Sequence, residues 1–106
     1  MPKKYRLLRA DFQNMRRFQR IIGEYFSLSY GELPNRTSPG ATCVVSSKTA
    51  ARAVDRNKIK RRCRAVLSEY VKGSSRPTVV LDAKKGAVKA AYADIKKDIE
   101  NLLSKI

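Results

Sequence analysis

The sequence predicts an α+β fold in which helices pack on a mixed sheet, and three observations lead there. Short apolar or alternating runs bounded by turn residues recur around 26–30, 41–47 and 78–83 and read as strands. Two segments, 50–72 and 88–106, carry apolar residues at three- and four-residue spacing, the mark of amphipathic helices. With 106 residues, 42% of them apolar, the chain suits one domain over residues 1–106 with a core of its own.

Taken in order, Leu7, Leu8, Phe12 and Met15 fall at helical spacing, which makes residues 7–17 a short first helix. A brief strand around Ile21 and Ile22 precedes an alternating one. There Phe26, Leu28 and Tyr30 point one way while Ser27 and Ser29 point the other. Pro34, Asn35, Ser38, Pro39 and Gly40 mark a loop. The β-branched run ATCVVSS after it reads as a buried strand, expected to pair antiparallel with the 26–30 strand.

The longest helix is expected from about Ala50, through ARAVDRNKIKRRCRAVLSEYVK, to a stop at Gly73 with Ser74, Ser75 and Pro77 behind it. TVVLDA at 78–83 is a further strand, followed by a turn over Lys84, Lys85 and Gly86. Val88, Ala91, Tyr92, Ile95, Ile99, Leu102, Leu103 and Ile106 then trace a closing amphipathic helix. The predicted order is an α-β-β-β-α-β-α sandwich with a mixed sheet.

Charge narrows the function. Lys and Arg number 24 against 9 Asp and Glu, a net +15 that calls for an anionic partner. No apolar run approaches the ~20 residues of a spanning helix, and the opening MPKKYRLLRADF lacks the apolar core of a signal peptide. A cytoplasmic, nucleic-acid-binding protein with no membrane partner is expected. Cys43 and Cys63 have no paired spacing and the chain has no His, so no metal site is expected and both thiols read as small core residues.

The basic segment carries the chemistry. Between Arg56 and Arg64 six of nine residues are Lys or Arg. At about 100° per residue, Ile59, Cys63, Val66, Leu67 and Tyr70 share one stripe, while Asn57, Lys60, Arg61 and Arg64 gather on another face. Arg offers a planar fork matched to phosphate, Lys a mobile point charge, and Asn a donor and an acceptor for a sugar or base edge. The bland alternative, a merely solubilising surface, would mix charge signs and have no need of a carboxamide.

Residues 46–67, SSKTAARAVDRNKIKRRCRAVL, resemble the signature of the ribonuclease P protein component. Ser47, Lys48, Ala53, Val54, Arg56, Asn57, Lys60, Arg61 and Arg64 match it, and the likeness extends to Arg6-Leu7, Asp11-Phe12 and Phe26-x-Leu28. Lys58 stands where the family has a second Arg, and Thr49, Ala50 and Ala51 replace its usual loop residues.

The resemblance implies a left-handed βαβ crossover, as in the second domain of ribosomal protein S5, against the usual right-handed rule. It implies binding of a catalytic RNA through Lys48, Arg52, Arg56, Asn57, Lys58, Lys60, Arg61 and Arg64. It also implies a cleft for the 5′ leader of precursor tRNA, with Phe12, Tyr30 and Lys48 as candidates.

The reaction implied is endonucleolytic removal of that leader, with Mg²⁺ acting through the RNA subunit and no catalytic residue on the protein. Asp94 and Asp98 read as ordinary surface charges beside Lys96 and Lys97. The rival reading is a structural RNA-binding protein of ribosomal type. A self-contained nuclease would need a general base or metal ligands that the chain does not offer, and a DNA-binding role lacks a helix-turn-helix.

Overall fold

The computed structural model describes residues 18–33, 40–72 and 77–106. The first predicted helix, with Phe12, lies outside them. Strands β1 (Gln19–Ile22) and β2 (Phe26–Gly31) form an antiparallel hairpin in which Ile21 faces Leu28 and Gln19 faces Tyr30. β3 (Ala41–Val44) leads into helix α1 (Ala53–Tyr70), which returns the chain to β4 (Thr78–Ala83). A single 3-10 turn, Lys85–Val88, precedes helix α2 (Tyr92–Ser104).

The sheet order is β1-β2-β4-β3, with β4 antiparallel to β2 and parallel to β3. The expected antiparallel pairing of the 26–30 strand with the 41–47 strand is therefore corrected: β4 lies between them. The cause is legible in burial. Thr78, Val79, Val80 and Leu81 are buried in succession on both faces, which only a central strand sustains, whereas β3 alternates as an edge strand does. A parallel β3–β4 pair needs a long crossover, and α1 supplies it.

One face of the sheet carries the core. Phe26, Leu28, Ala41, Cys43, Val79 and Leu81 meet Ile59, Cys63, Val66, Leu67 and Tyr70 of α1 and Ile95, Ile99 and Leu102 of α2 in one cluster. The apolar stripe read from the sequence is the set that α1 buries. Cys43 and Cys63 are free, buried thiols, and the hydrogen bond to Cys43 together with burial pushes the Cys63 thiol up. Both act as packing residues.

α1 starts three residues later than the sequence suggests. Ser46 and Thr49 close a turn first, Thr49 N–H donating to Ser46 Oγ at 3.2 Å and Ala50 N–H to the Ser46 carbonyl at 3.0 Å. Short hydroxyl side chains of this kind compete with the helix for backbone donors. At the other end, Val88 belongs to the 3-10 turn and α2 begins only at Tyr92.

Asp98 of α2 is no ordinary surface charge. Its carboxylate accepts the N–H groups of Glu24, Tyr25 and Phe26 at 3.0, 2.9 and 3.1 Å, clamping the β1–β2 turn. Gly23 permits the approach, since a Cβ there would lie 2.8 Å from the Phe26 carbonyl and 3.0 Å from both Asp98 oxygens. Lys84 Nζ donates to the Gly23 carbonyl at 2.6 Å and completes the clamp.

Candidate RNA interface

α1 is divided lengthwise. The five apolar side chains pack on the sheet, while Asn57, Lys58, Arg61 and Arg64 are exposed and Lys60 is half-buried beside them. The 3.6-residue period holds Asn57, Arg61 and Arg64 on one flank at i, i+4 and i+7, so three consecutive turns present donors to one strip of solvent. Arg62 falls elsewhere. Its guanidinium donates to the Ala90 carbonyl at 3.2 Å and lies 5.8 Å from the Tyr92 ring centroid, so it joins α1 to α2 and stands apart from the strip.

Arg56 and the residues before the helix form a second part. Arg56 Nη1 donates to the carbonyls of both Ala50 and Ala51 at 2.9 Å, latching the turn onto the first coil of α1. Thr49 Oγ1 donates to the Ala83 carbonyl at 3.3 Å and fixes the same turn to the end of β4. Lys48 and Arg52 stand exposed on this braced segment.

The sequence assigned Arg56 to RNA. The structure gives part of its donor fork to the protein's own carbonyls, so Arg56→Ala should lower stability by about 1–2 kcal/mol, the worth of hydrogen bonds from a charged donor in a part-buried site. Urea unfolding measures it, and an unchanged midpoint would remove the latch from the account.

The third part is the sheet face that α1 and α2 do not cover. Register places Ile22, Ser27, Asp82 and Val44 in one cross-strand row and Arg20, Ser29, Val80 and Thr42 in the next. Ser27 and Val80 are buried in the middle, whereas Arg20, Ile22 and Val44 are exposed at the rim. The Phe18 ring lies over Gly31, where a Cβ would come within 2.5 Å of it. Burial pushes the Asp82 carboxyl up, and the charge of Arg20 offsets this in part. The sequence reading missed Arg20 and Asp82, for which strand alternation was the available signal.

Tyr30 and the Lys48 turn lie at opposite ends of β4. Tyr30 packs against the core on the helix-covered face, and its hydroxyl donates to Gln19 Oε1 at 2.8 Å. It also pairs with Val79, at the far end of β4 from Ala83 and the Lys48 turn. Alternation puts Tyr30 with Phe26 and Leu28, and turns Ser27, which is buried, and the half-buried Ser29 to the other face.

The family model described as Ribonuclease P matches residues 1–106. The chain belongs to the ribonuclease P protein family. It is 32% identical to the ribonuclease P protein component of Acidothermus cellulolyticus over 111 aligned residues, covering all of this chain and 91% of that one.

Solved ribonuclease P proteins share the fold. A Staphylococcus aureus mutant with defective mRNA degradation activity superposes with TM-score 0.87 at 24% identity, covering 97% of this chain and 88% of its own. The Thermotoga maritima protein in complex with 1-(4-fluorophenyl)-2-thiourea superposes with TM-score 0.79 at 21% identity, covering 94% and 99%. Membership makes the chain a protein component of ribonuclease P, an RNA-cleaving complex of tRNA processing. Among the described residues no helix is long and apolar enough to cross a membrane.

Proposed function

We propose that this ribonuclease P protein acts in the cytoplasm, binding the catalytic RNA through the exposed flank of α1 and the Lys48 turn. It holds the 5′ leader of precursor tRNA on the sheet face away from α1 and α2. The observation that carries the reading is the division of α1, with Ile59, Cys63, Val66, Leu67 and Tyr70 committed to the core and Asn57, Arg61 and Arg64 to solvent. A helix anchored along one side holds its cations in fixed register, which lowers the ordering cost of meeting a phosphate backbone.

The leader assignment follows from exclusion and continuity. One sheet face is filled by two helices. Thr49 ties the Lys48 turn to the end of the sheet at Ala83, which brings that turn close to both faces. On the other face Ser29, the Phe18 ring and the exposed Arg20 suit single-stranded RNA of varied sequence. Phe12, the stacking candidate in the sequence, lies outside the described residues.

Hydrolysis belongs in this reading to the RNA subunit and its Mg²⁺. Among the described residues no three His, Cys, Asp or Glu side chains converge to hold a metal ion.

Multiple-turnover cleavage of labelled precursor tRNA at low Mg²⁺, with a bacterial ribonuclease P RNA, tests the proposal. Efficient cleavage is expected only with RNA and protein together. A folded protein that binds RNA tightly and adds nothing to cleavage would replace it with the ribosomal-type reading.

A further inference from the structure

Between β3 and α1 the chain is buried on both sides of an exposed tip. Val45 and Ala50 are buried, while Ser46, Ser47 and Lys48 stand in solvent between them. β3 stops at Val44, opposite Asp82, so the β3–β4 ladder ends one residue short of Ala83.

The Thr49 side chain takes up where that ladder ends. Its hydroxyl has a single proton, which it donates to the Ala83 carbonyl at 3.3 Å. The Ser46 hydroxyl, 3.1 Å from Thr49 Oγ1, is therefore the donor between the two, and it accepts in turn from the Thr49 N–H at 3.2 Å. Each group in this closed loop has one assignment. A β-branched residue held in this way keeps one rotamer.

Two ties hold the segment in place. Arg56 joins Ala50 and Ala51 to α1, and Thr49 makes the one hydrogen bond from residues 46–51 to the sheet among the described residues. The flank of α1 and the face of the sheet serve two different RNAs, and Lys48 lies between them. A lysine is a point charge on a flexible four-carbon stem, so the protein sets its reach by fixing where its backbone stands. Arg56 fixes that against α1, and Thr49 fixes it against the sheet.

We propose that Thr49 is a positioning residue for precursor recognition, its hydroxyl holding Lys48 at the end of the sheet where the ammonium meets the phosphate backbone of the leader. Thr49 touches neither RNA and acts through Lys48. The role rests on the leader lying on the sheet face away from α1 and α2.

Holoenzyme reconstituted with a bacterial ribonuclease P RNA tests it through the ratio of affinities for leader-bearing and leaderless tRNA. Thr49→Val keeps the shape and removes the hydroxyl, and is expected to lower that ratio about threefold, toward the low end of what one neutral hydrogen bond is worth. Affinity for the catalytic RNA alone should stay at the wild-type value, since Arg56 still ties the turn to α1. Thr49→Ser keeps the hydroxyl and should restore the ratio. Should Thr49→Val fold poorly, Thr49→Ala removes the same hydroxyl without setting a methyl against the Ala83 carbonyl, and reads the same loss.

The decisive arm is a cycle with Lys48→Ala. The double variant of Lys48→Ala and Thr49→Val is expected to match Lys48→Ala alone, because the side chain to be positioned is gone. Additive losses, a ratio unchanged by both Thr49→Val and Thr49→Ala, or failure of Thr49→Ser to restore it overturns the role of Thr49 and leaves the leader reading standing. So does a loss shared equally by both tRNAs with a lowered urea midpoint, the mark of a merely structural bond. Equal affinity of the wild type for leader-bearing and leaderless tRNA overturns both.

Discussion

Replacing Asp98 by alanine is expected to destabilise the protein by about 2–4 kcal/mol, because three backbone donors lose a charged acceptor in one step. The N–H groups of Glu24, Tyr25 and Phe26 all converge on this carboxylate, and two of these contacts are part-buried, so water replaces them incompletely. The loss reaches beyond the turn. Phe26 is fully buried and pairs with Ala83 of β4, so a turn that swings free loosens the end of the sheet on which Thr49 is moored.

Asp98→Asn keeps one acceptor oxygen of the two and is expected to lose about half as much. Urea denaturation followed by circular dichroism reads both values. A cost for Asp98→Ala below about 0.5 kcal/mol, the scale of an ordinary surface change, would show that the clamp does not hold the turn.

The second large effect is on RNA affinity. Arg61→Ala and Arg64→Ala are each expected to weaken binding of the catalytic RNA by about 1–3 kcal/mol, as loss of a charge-assisted contact does. Both residues are exposed and neither enters an ion pair among the described residues, so their removal should leave the melting temperature near the wild-type value. The double variant should lower the slope of log affinity against log salt by about 2, one counterion for each cation removed.

Asn57→Ala separates charge from shape. It carries no charge, so it should weaken binding by about 1–2 kcal/mol at every salt concentration and leave the slope unchanged. Slopes that stay at the wild-type value in the double variant would move the RNA off this flank of α1.

How much of this was legible in the sequence depended on the distance over which each feature acts. The apolar stripe of α1 was readable to the residue, since an 18-residue helix repeats its period several times and Ile59, Cys63, Val66, Leu67 and Tyr70 share one face by arithmetic. The opposing flank with Asn57, Arg61 and Arg64 followed from the same wheel. Strand positions were also visible, from alternation in β2 and the unbroken apolar run of β4.

Partners across the sheet were not visible, because periodicity names a strand's faces and is silent on its neighbours. β4 therefore went unrecognised as the strand between β2 and β3. Asp98 looked like one charge among several on α2, for its partners lie 72 to 74 residues away in sequence. Arg56 looked identical to its basic neighbours, and only coordinates separate a guanidinium turned to Ala50 and Ala51 from one turned to solvent. Tyr30 was placed on the correct side of its strand, yet which side faces the helices is settled by packing and not by alternation.

The position of β4 also governs the order in which the chain acquires its structure during synthesis. Translation delivers β1, β2, β3 and α1 first, but β3 has no partner in the sheet until β4 arrives between it and β2. Until then the newborn chain can form the hairpin and the isolated helix, whose apolar stripe has no completed surface to rest on. The clamp on the hairpin turn comes later still, since Asp98 is made after β4. Nascent chains are thus expected to gain protection from protease late and nearly all at once, with the long-range pairings that slow folding closing together at the end.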